Sequence, residues 1–440
     1  MSPAIAALLM IIIVLALILT KKVPMNFVMF IVPIIFGLIL NFSITDLSTF
    51  ILGQFSTIMS SAGYLLLFGN IYFGMLNECG MFDIIINKLL SVLGKRMNVV
   101  VVVILTTVIG GIGYLTANFS TVYLLCFPLL LPLYKKYKFD REAAFYICQT
   151  ACVAIGFLPW GIGIAYTAAA AGLDSMELAN AAIPWGLCAI PTIILQWIYF
   201  SLRHKKRYGT LGLPDNQDDS DSQSQQSEKP NARPKLFWIN FIIFIIAMLC
   251  LTVFQLSGWL VFIIASVITA LINYPKNYGE IWNKNAGMFF NVVLMLLAIS
   301  VYLAIFNAAP EGGTSMIDGL ADLLVSIIPA FLLRYIHVIF LLLCVVIIRF
   351  VPFQVFNAMY PLFIAIGGGF GIPALAVIAP FVCNLAFATS VTPFNSATYV
   401  GCNLVQIEDV DHFCNRGQVI MSASLAITVI VAWVTGVLVI

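Results

Sequence analysis

The first twenty residues, Met1 to Thr20, contain no charged side chain, and apolar runs of this kind recur to the end of the chain. A helix of about 20 residues spans a hydrocarbon layer of roughly 30 Å, and these runs have that length. In lipid every backbone N–H and C=O must bond within the protein, which leaves helices or a closed barrel. The runs are continuous and do not alternate, so they predict helices. Only 9% of the 440 residues are charged, against about 25% in a soluble domain. An all-α polytopic membrane protein follows, with a lipid bilayer as its main surroundings. A net charge of +2 gives no reason to expect a nucleic-acid partner.

Single crossings can be drawn at about 3–20, 24–41, 56–78, 141–158 and 177–200, and again at 236–254, 259–273, 286–307, 374–391 and 417–440. Met1–Thr20 has no basic segment ahead of its apolar run and is read as a retained span. The stretch 201–235 opens with Arg203-His-Lys-Lys-Arg207 and continues with Asp, Ser and Gln. Such a composition cannot bury a core, and it predicts a flexible linker. The domains are therefore 1–200, the linker 201–235, and 236–440. Two blocks, 97–134 and 335–372, are apolar but interrupted near the middle, by Tyr114–Thr121 and by Arg349–Asn357. Each predicts a re-entrant hairpin with a polar tip near the midplane, where non-helical backbone must be buried in protein or line a cavity. Placing the linker in the cytoplasm leaves only Arg334 and Arg349, of the 21 Lys and Arg residues, off the cytoplasmic side. That topology places both chain ends outside an inner (cell) membrane.

The halves resemble each other at an offset of 230 to 235 residues. Ile71-Tyr-Phe-Gly-Met-Leu-Asn77 matches Val301-Tyr-Leu-Ala-Ile-Phe-Asn307, and Met81-Phe-Asp83 matches Met316-Ile-Asp318. Pro159-Trp160 matches Pro393-Phe394, and an acid, Asp174 or Glu408, stands fifteen residues after each proline. Five crossings and one hairpin per half is an odd number of crossings, so the halves face opposite ways. Inverted repeats with paired interrupted helices point to a transporter whose site lies at their interface.

The candidate site residues cluster at the interruptions. The first tip offers Thr116, Asn118, Ser120 and Thr121. The break Leu158-Pro-Trp-Gly-Ile-Gly163 offers backbone groups at Gly161 and Gly163, loosened by proline and glycine. The break Val391–Thr398 contains Thr392, Asn395, Ser396 and Thr398. Arg349, Gln354 and Asn357 stand at the second tip. Helix N-termini there would favour an anion. Asn118, Ser120, Thr121, Arg349, Gln354, Asn357, Asn395, Ser396 and Thr398 are expected to bind substrate. Thr116, Asn118, Gly161, Gly163, Thr392 and Asn395 are expected to hold a coupling cation such as Na⁺. The plainer alternative is that the Ser, Thr and Asn residues only cap helix ends. For Arg349, costly at this depth unless paired, the choice lies between clamping a carboxylate and a structural pair.

Absences narrow the chemistry. Of the 19 Asp and Glu residues, only Glu78 lies near a span interior, at its cytoplasmic end, so no midplane carboxylate offers a proton relay. His337 falls near the outer mouth, where a structural role is the simpler reading. The ten cysteines lack CxxC or Cys/His spacing and read as small buried hydrophobes, with no metal site. HExxH, GxSxG and the P-loop are absent, so no enzyme or cofactor is expected. Gly367-Gly-Gly369 reads as a turn.

The stretches Ile71–Asp83, Leu131-Pro-Leu-Tyr-Lys-Lys136, Leu158-Pro-Trp-Gly161, Ala168–Asp174 and Pro393–Phe413 resemble the citrate–metal/proton symporter family, CitMHS. The resemblance runs along nearly the whole chain outside 201–235. It implies an elevator-type carrier, with hairpins and broken helices forming a moving domain. Spans 1–3 and 6–8 would form a dimeric scaffold, linked by amphipathic arms at 81–94 and 316–330. It further implies symport of a small organic anion, such as a di- or tricarboxylate like citrate, with Na⁺ or H⁺. A gluconate-type permease or a Na⁺/H⁺ antiporter is the alternative within the class, and an intramembrane enzyme the alternative outside it. Three departures stand out. The first tip lacks the family's Asp-Gly-Asp-Gly-Thr-Thr pattern, Phe353 replaces an acid after Pro352, and Arg349 stands where the family is apolar. Fewer acids and one more cation predict a free carboxylate substrate and not a metal chelate.

Overall fold

A computed structural model describes residues 2–440 apart from 21, 94–96, 213–230, 253, 255, 288, 311–312 and 328. Among the described residues all regular structure is helical. In the first half α1 (Pro3–Leu19) and α2 (Met25–Ile39) precede a rod of 35 residues, Ile44–Glu78. Within it α3 (Ile44–Ile58) passes into α4 (Tyr64–Glu78) through a π-helical turn, Met59–Gly63. Next come α5 (Met81–Leu93), α6 (Val99–Tyr114), α7 (Phe119–Lys136), α8 (Arg141–Ala154), α9 (Ile162–Ala171), α10 (Ser175–Cys188) and α11 (Ile190–Tyr208).

In the second half α12 (Phe237–Thr252), α13 (Gly258–Asn273), α14 (Tyr278–Gly287) and α15 (Phe290–Asn307) lead to α16 (Met316–Ile327). The short α17 (Ala330–Leu333) precedes α18 (Ile336–Ile348), α19 (Phe353–Asn357) and α20 (Tyr360–Gly369). The chain closes with α21 (Ala374–Thr389), α22 (Ser396–Leu404) and α23 (Val410–Val434).

Both interrupted blocks fold back on themselves. α6 packs along α7, and the Tyr137 hydroxyl donates to the Met97 carbonyl at 3.1 Å. The two ends of the first block therefore meet at its base. In the second block Phe340 of α18 lies 5.0 Å from Phe363 of α20, ring centre to ring centre. Its base is fixed to the last residues, with Arg334 donating to the Ile440 carbonyl at 2.9 Å and buried His337 beside that of Val439.

Several helices depart from the expected bounds. The rods Ile44–Glu78, Ser175–Tyr208 and Val410–Val434 extend past the predicted spans, because polar residues at their ends remain helical. Residues 201–208 thus belong to α11 and not to the linker. Residues 213–230 of the predicted linker lie outside the described residues. By contrast α1 and α2, with 17 and 15 residues, are shorter than the predicted 3–20 and 24–41.

Packing is reciprocal between the halves. α4 lies on α13, while α15 lies on α2 and α3. The amphipathic α16 packs on α1, and α5 touches α12. Buried polar contacts stitch particular pairs, as with the reciprocal amides of Asn240 and Asn273 and the Thr192–Thr428 hydroxyls at 2.8 Å. Nine of the ten free cysteines are buried, which suits their reading as small core residues.

Candidate functional site: a cavity at three helix starts

The polar interruptions converge on one cavity of about 240 Å³. Its wall is built from Tyr114 and residues 117–120 at the first tip, the start of α9, Phe353 and Asn357 of α19, the end of α21 and the start of α22. The chain stops being helical here for identifiable reasons. Ala117 adopts φ +54°, a left-handed conformation that opposes continuation of α6. Pro159 follows the end of α8, and Gly161 becomes the N-cap of α9. Asn395 caps α22 two residues after Pro393.

Three helices of useful length begin at this cavity: α7, α9 and α22. Asn118 Oδ1 accepts the N–H groups of Ser120 and Thr121 at 2.9 and 3.4 Å. Asn395 Oδ1 accepts that of Ala397 at 3.1 Å, while its Nδ2 donates to the Thr389 carbonyl at 2.9 Å. The remaining first-turn N–H groups have no partner within their helix. Each helix start carries about +0.5 elementary charge. Among the described residues no Lys, Arg, Asp or Glu lines the wall, so its polarity is dipolar and positive. The arrangement suits a small anion and supplies no acid to transfer a proton.

Of the predicted residues, the structure brings Asn118, Ser120, Gly163, Asn357, Asn395 and Ser396 together in this wall. A Cβ at Gly163 would have open space around it. Thr121 does not line the cavity, and its N–H is given to Asn118 Oδ1 at 3.4 Å. Thr116, Thr392 and Thr398 stand behind the wall, where they donate to carbonyls of Gly113 (2.8 Å), Ile348 (2.6 Å) and Thr389 (3.3 Å). Gly161 immediately precedes the lining, its N–H given to the Leu158 carbonyl at 2.9 Å. Arg349 is not brought to the wall. Its guanidinium pairs with Asp411 at 3.3 Å and donates to Asn415 at 3.1 Å, both on α23. The side chain of Gln354 lies outside the described residues.

The sequence reading missed Tyr114, Tyr166, Thr167 and Thr389. Thr167 was within reach, because it stands one helical turn after Gly163 and shares its face. A further tie emerges at the break. Trp160 Nε1 donates to the Leu115 carbonyl at 2.9 Å, and its ring stacks on Phe73 of α4 at 4.7 Å. One residue thereby joins the tip, the break and the long rod.

Sequence comparisons place this geometry in a family. The chain is 30% identical over 332 residues to a citrate transporter of Bacillus subtilis (strain 168), covering 74% of each chain. It is 28% identical over 332 residues, again 74% of each, to a Mg(2+)/citrate complex secondary transporter of the same organism. The family model described as Citrate transporter, CitMHS, matches residues 14–439. The chain therefore belongs to the citrate transporter family, CitMHS, as a multi-pass membrane transporter and not an enzyme.

Proposed function

We propose that this protein is a secondary symporter that carries a small di- or tricarboxylate such as citrate as the free anion, coupled to Na⁺ or H⁺. The observation that carries the reading is the meeting of three helix starts on a cavity without charged side chains. Together they offer a positive potential equivalent to about 1.5 elementary charges, enough to hold carboxylate groups without an arginine. A volume of about 240 Å³ lies just below the usual range of roughly 300–1,000 Å³ for drug-sized ligands, which suits a metabolite of a few carbons. The names of the two relatives support a carboxylate substrate.

The reciprocal packing of α4 on α13 and α15 on α2 supports two inverted halves. In the elevator reading α1–α4 and α12–α15 form the scaffold, as a homodimer, and the hairpins with α8–α11 and α21–α23 move. Thr116, Gly161 and Thr392, just behind the wall, are the positions for a coupling cation. The inner-membrane placement, with a cytoplasmic linker and both chain ends outside, belongs to the same reading.

The competing substrate form is a metal chelate, as in the name of the second relative. The described wall meets the cargo with Asn, Ser, Thr and backbone N–H groups at helix starts and with no carboxylate to face a cation, which favours the free anion. Citrate uptake by proteoliposomes, with Mg²⁺ and Ca²⁺ present or removed on a chelating resin, decides between the two. Uptake should continue without divalent metal and fall when choline replaces Na⁺ or when the proton gradient is collapsed. A strict requirement for the divalent ion would overturn the free-anion reading.

A further inference from the structure

Two side chains in the cavity wall, Asn357 and Thr167, carry buried polar atoms without a hydrogen-bond partner. Asn357 is completely buried, and neither its amide nitrogen nor its amide oxygen has a hydrogen-bond partner. Thr167 faces the same cavity from α9 and is 1% exposed. Its hydroxyl approaches that of Tyr360 without hydrogen-bond geometry. Buried polar groups in folded proteins are nearly always paired, so an orphan of this kind calls for an explanation. Other buried amides keep at least the nitrogen engaged: those of Asn70, Asn384 and Gln196 donate, while their oxygens lack a partner. Asn240 and Asn273 bond each other in both directions, and Gln149 bridges Tyr123 and the Ala386 carbonyl. Among the described residues Asn357 is the one buried amide with neither its donor nor its acceptor engaged, and it lines the cavity.

The pairing has a chemical consequence. A carboxylate only accepts hydrogen bonds. It would satisfy Asn357 Nδ2 and would set its own charge against the Asn357 oxygen. A ligand O–H does both things, since its oxygen accepts from Nδ2 while its proton goes to Asn357 Oδ1 or to Thr167. We infer that Asn357 and Thr167 form a subsite that reads an O–H group on an otherwise anionic substrate. The carboxylates then face the starts of α7, α9 and α22. The O–H can come from a hydroxyl on the carbon skeleton or from a protonated carboxyl. This inference rests on the carboxylate reading of the cavity.

Sites built to bond a hydroxyl reject the analogue lacking it far more strongly than apolar pockets reject a missing methylene. The test uses the purified full-length protein, with citrate and propane-1,2,3-tricarboxylate as probes at pH 8 and pH 5.5. Binding is read by calorimetry and folding by thermal shift. For a skeletal hydroxyl, the deoxy probe binds the wild type at least about 10-fold more weakly at both pH values. For a protonated carboxyl, both probes tighten about equally at pH 5.5. In Asn357→Leu and Thr167→Val the selectivity, or the pH response, shrinks to about 2-fold or less. Asn357→Leu should melt no lower than wild type, because it removes only unpaired polar atoms. Selectivity and pH response both unchanged in the variants, with binding intact, would overturn the subsite. No binding of either probe to the wild type would overturn the carboxylate reading beneath it.

Discussion

Gly163 and Arg349 show how far apart two candidate residues can fall once the chain is folded. Gly163 stands at the cavity with open space where a Cβ would go. Gly163→Ala should fold normally and place a methyl group against the substrate. An added methyl in a fitted pocket is expected to raise the KM for citrate about 10-fold, measured by initial uptake rates at varied citrate. Arg349 is spent on Asp411 and Asn415. Because the Asp411 side chain is 79% exposed, solvent screens the pair, and Arg349→Ala should cost on the order of 1 kcal/mol of stability. Thermal shift would show that loss, while citrate affinity should stay within about 2-fold of wild type. A large loss of affinity with unchanged melting would restore Arg349 as a carboxylate clamp. The capping residues Asn118 and Asn395 were legible in the sequence, since a lone Asn between apolar runs has few other uses. Thr167 was not, because a Thr followed by four alanines, Ala168–Ala171, looks like ordinary core. The partner of Arg349 was illegible because it lies 62 positions away.

Hairpins and broken helices were legible as elements, because proline, glycine and polar residues interrupt apolar runs too short for two full crossings. Their bounds were not. Apolar windows locate only the middle of a rod, so the polar ends of α3, α11 and α23 were read as loops. The amphipathic arms were visible as α5 and α16 because their apolar positions recur at helical spacing. What the sequence could not show is how the break meets α4. A Cβ on Gly69 would stand 2.5 Å from the Cβ of Trp160 and 3.3 Å from the Phe262 ring. Overpacking of this kind costs about 1–3 kcal/mol. Gly69→Ala should therefore lower the melting temperature clearly, whereas Gly163→Ala should not. Equal melting of the two variants would contradict this account of the contact between α4 and the break.

At the scale of the whole molecule, the proposed repeat rests on seven consecutive positions and two proline breaks that recur in order. The packing partners of each helix needed coordinates, since contacts such as Tyr274 to Met75 span 199 positions. The elevator reading requires Trp160 to slide past α4 during each cycle. The close approach of positions 69 and 160 allows a test, because a small relaxation reaches the 3.5–4.5 Å Cβ separation of a disulfide. In Gly69→Cys/Trp160→Cys, oxidation should stop citrate uptake and leave citrate binding, and reductant should restore uptake. Equal uptake by the oxidised and reduced forms would rule out sliding at this contact.

In the proposed function the carboxylate sits in the cavity between the tips and breaks. Gly163→Cys in a Cys250→Ser background puts one reactive thiol in that cavity, the other nine native cysteines being buried. The rate of its modification by a small charged thiol reagent, measured with and without citrate, reads occupancy directly. Saturating citrate should slow modification at least about 10-fold, while an inert anion such as sulfate should not. A modification rate indifferent to citrate, in protein that still binds citrate, would place the substrate elsewhere.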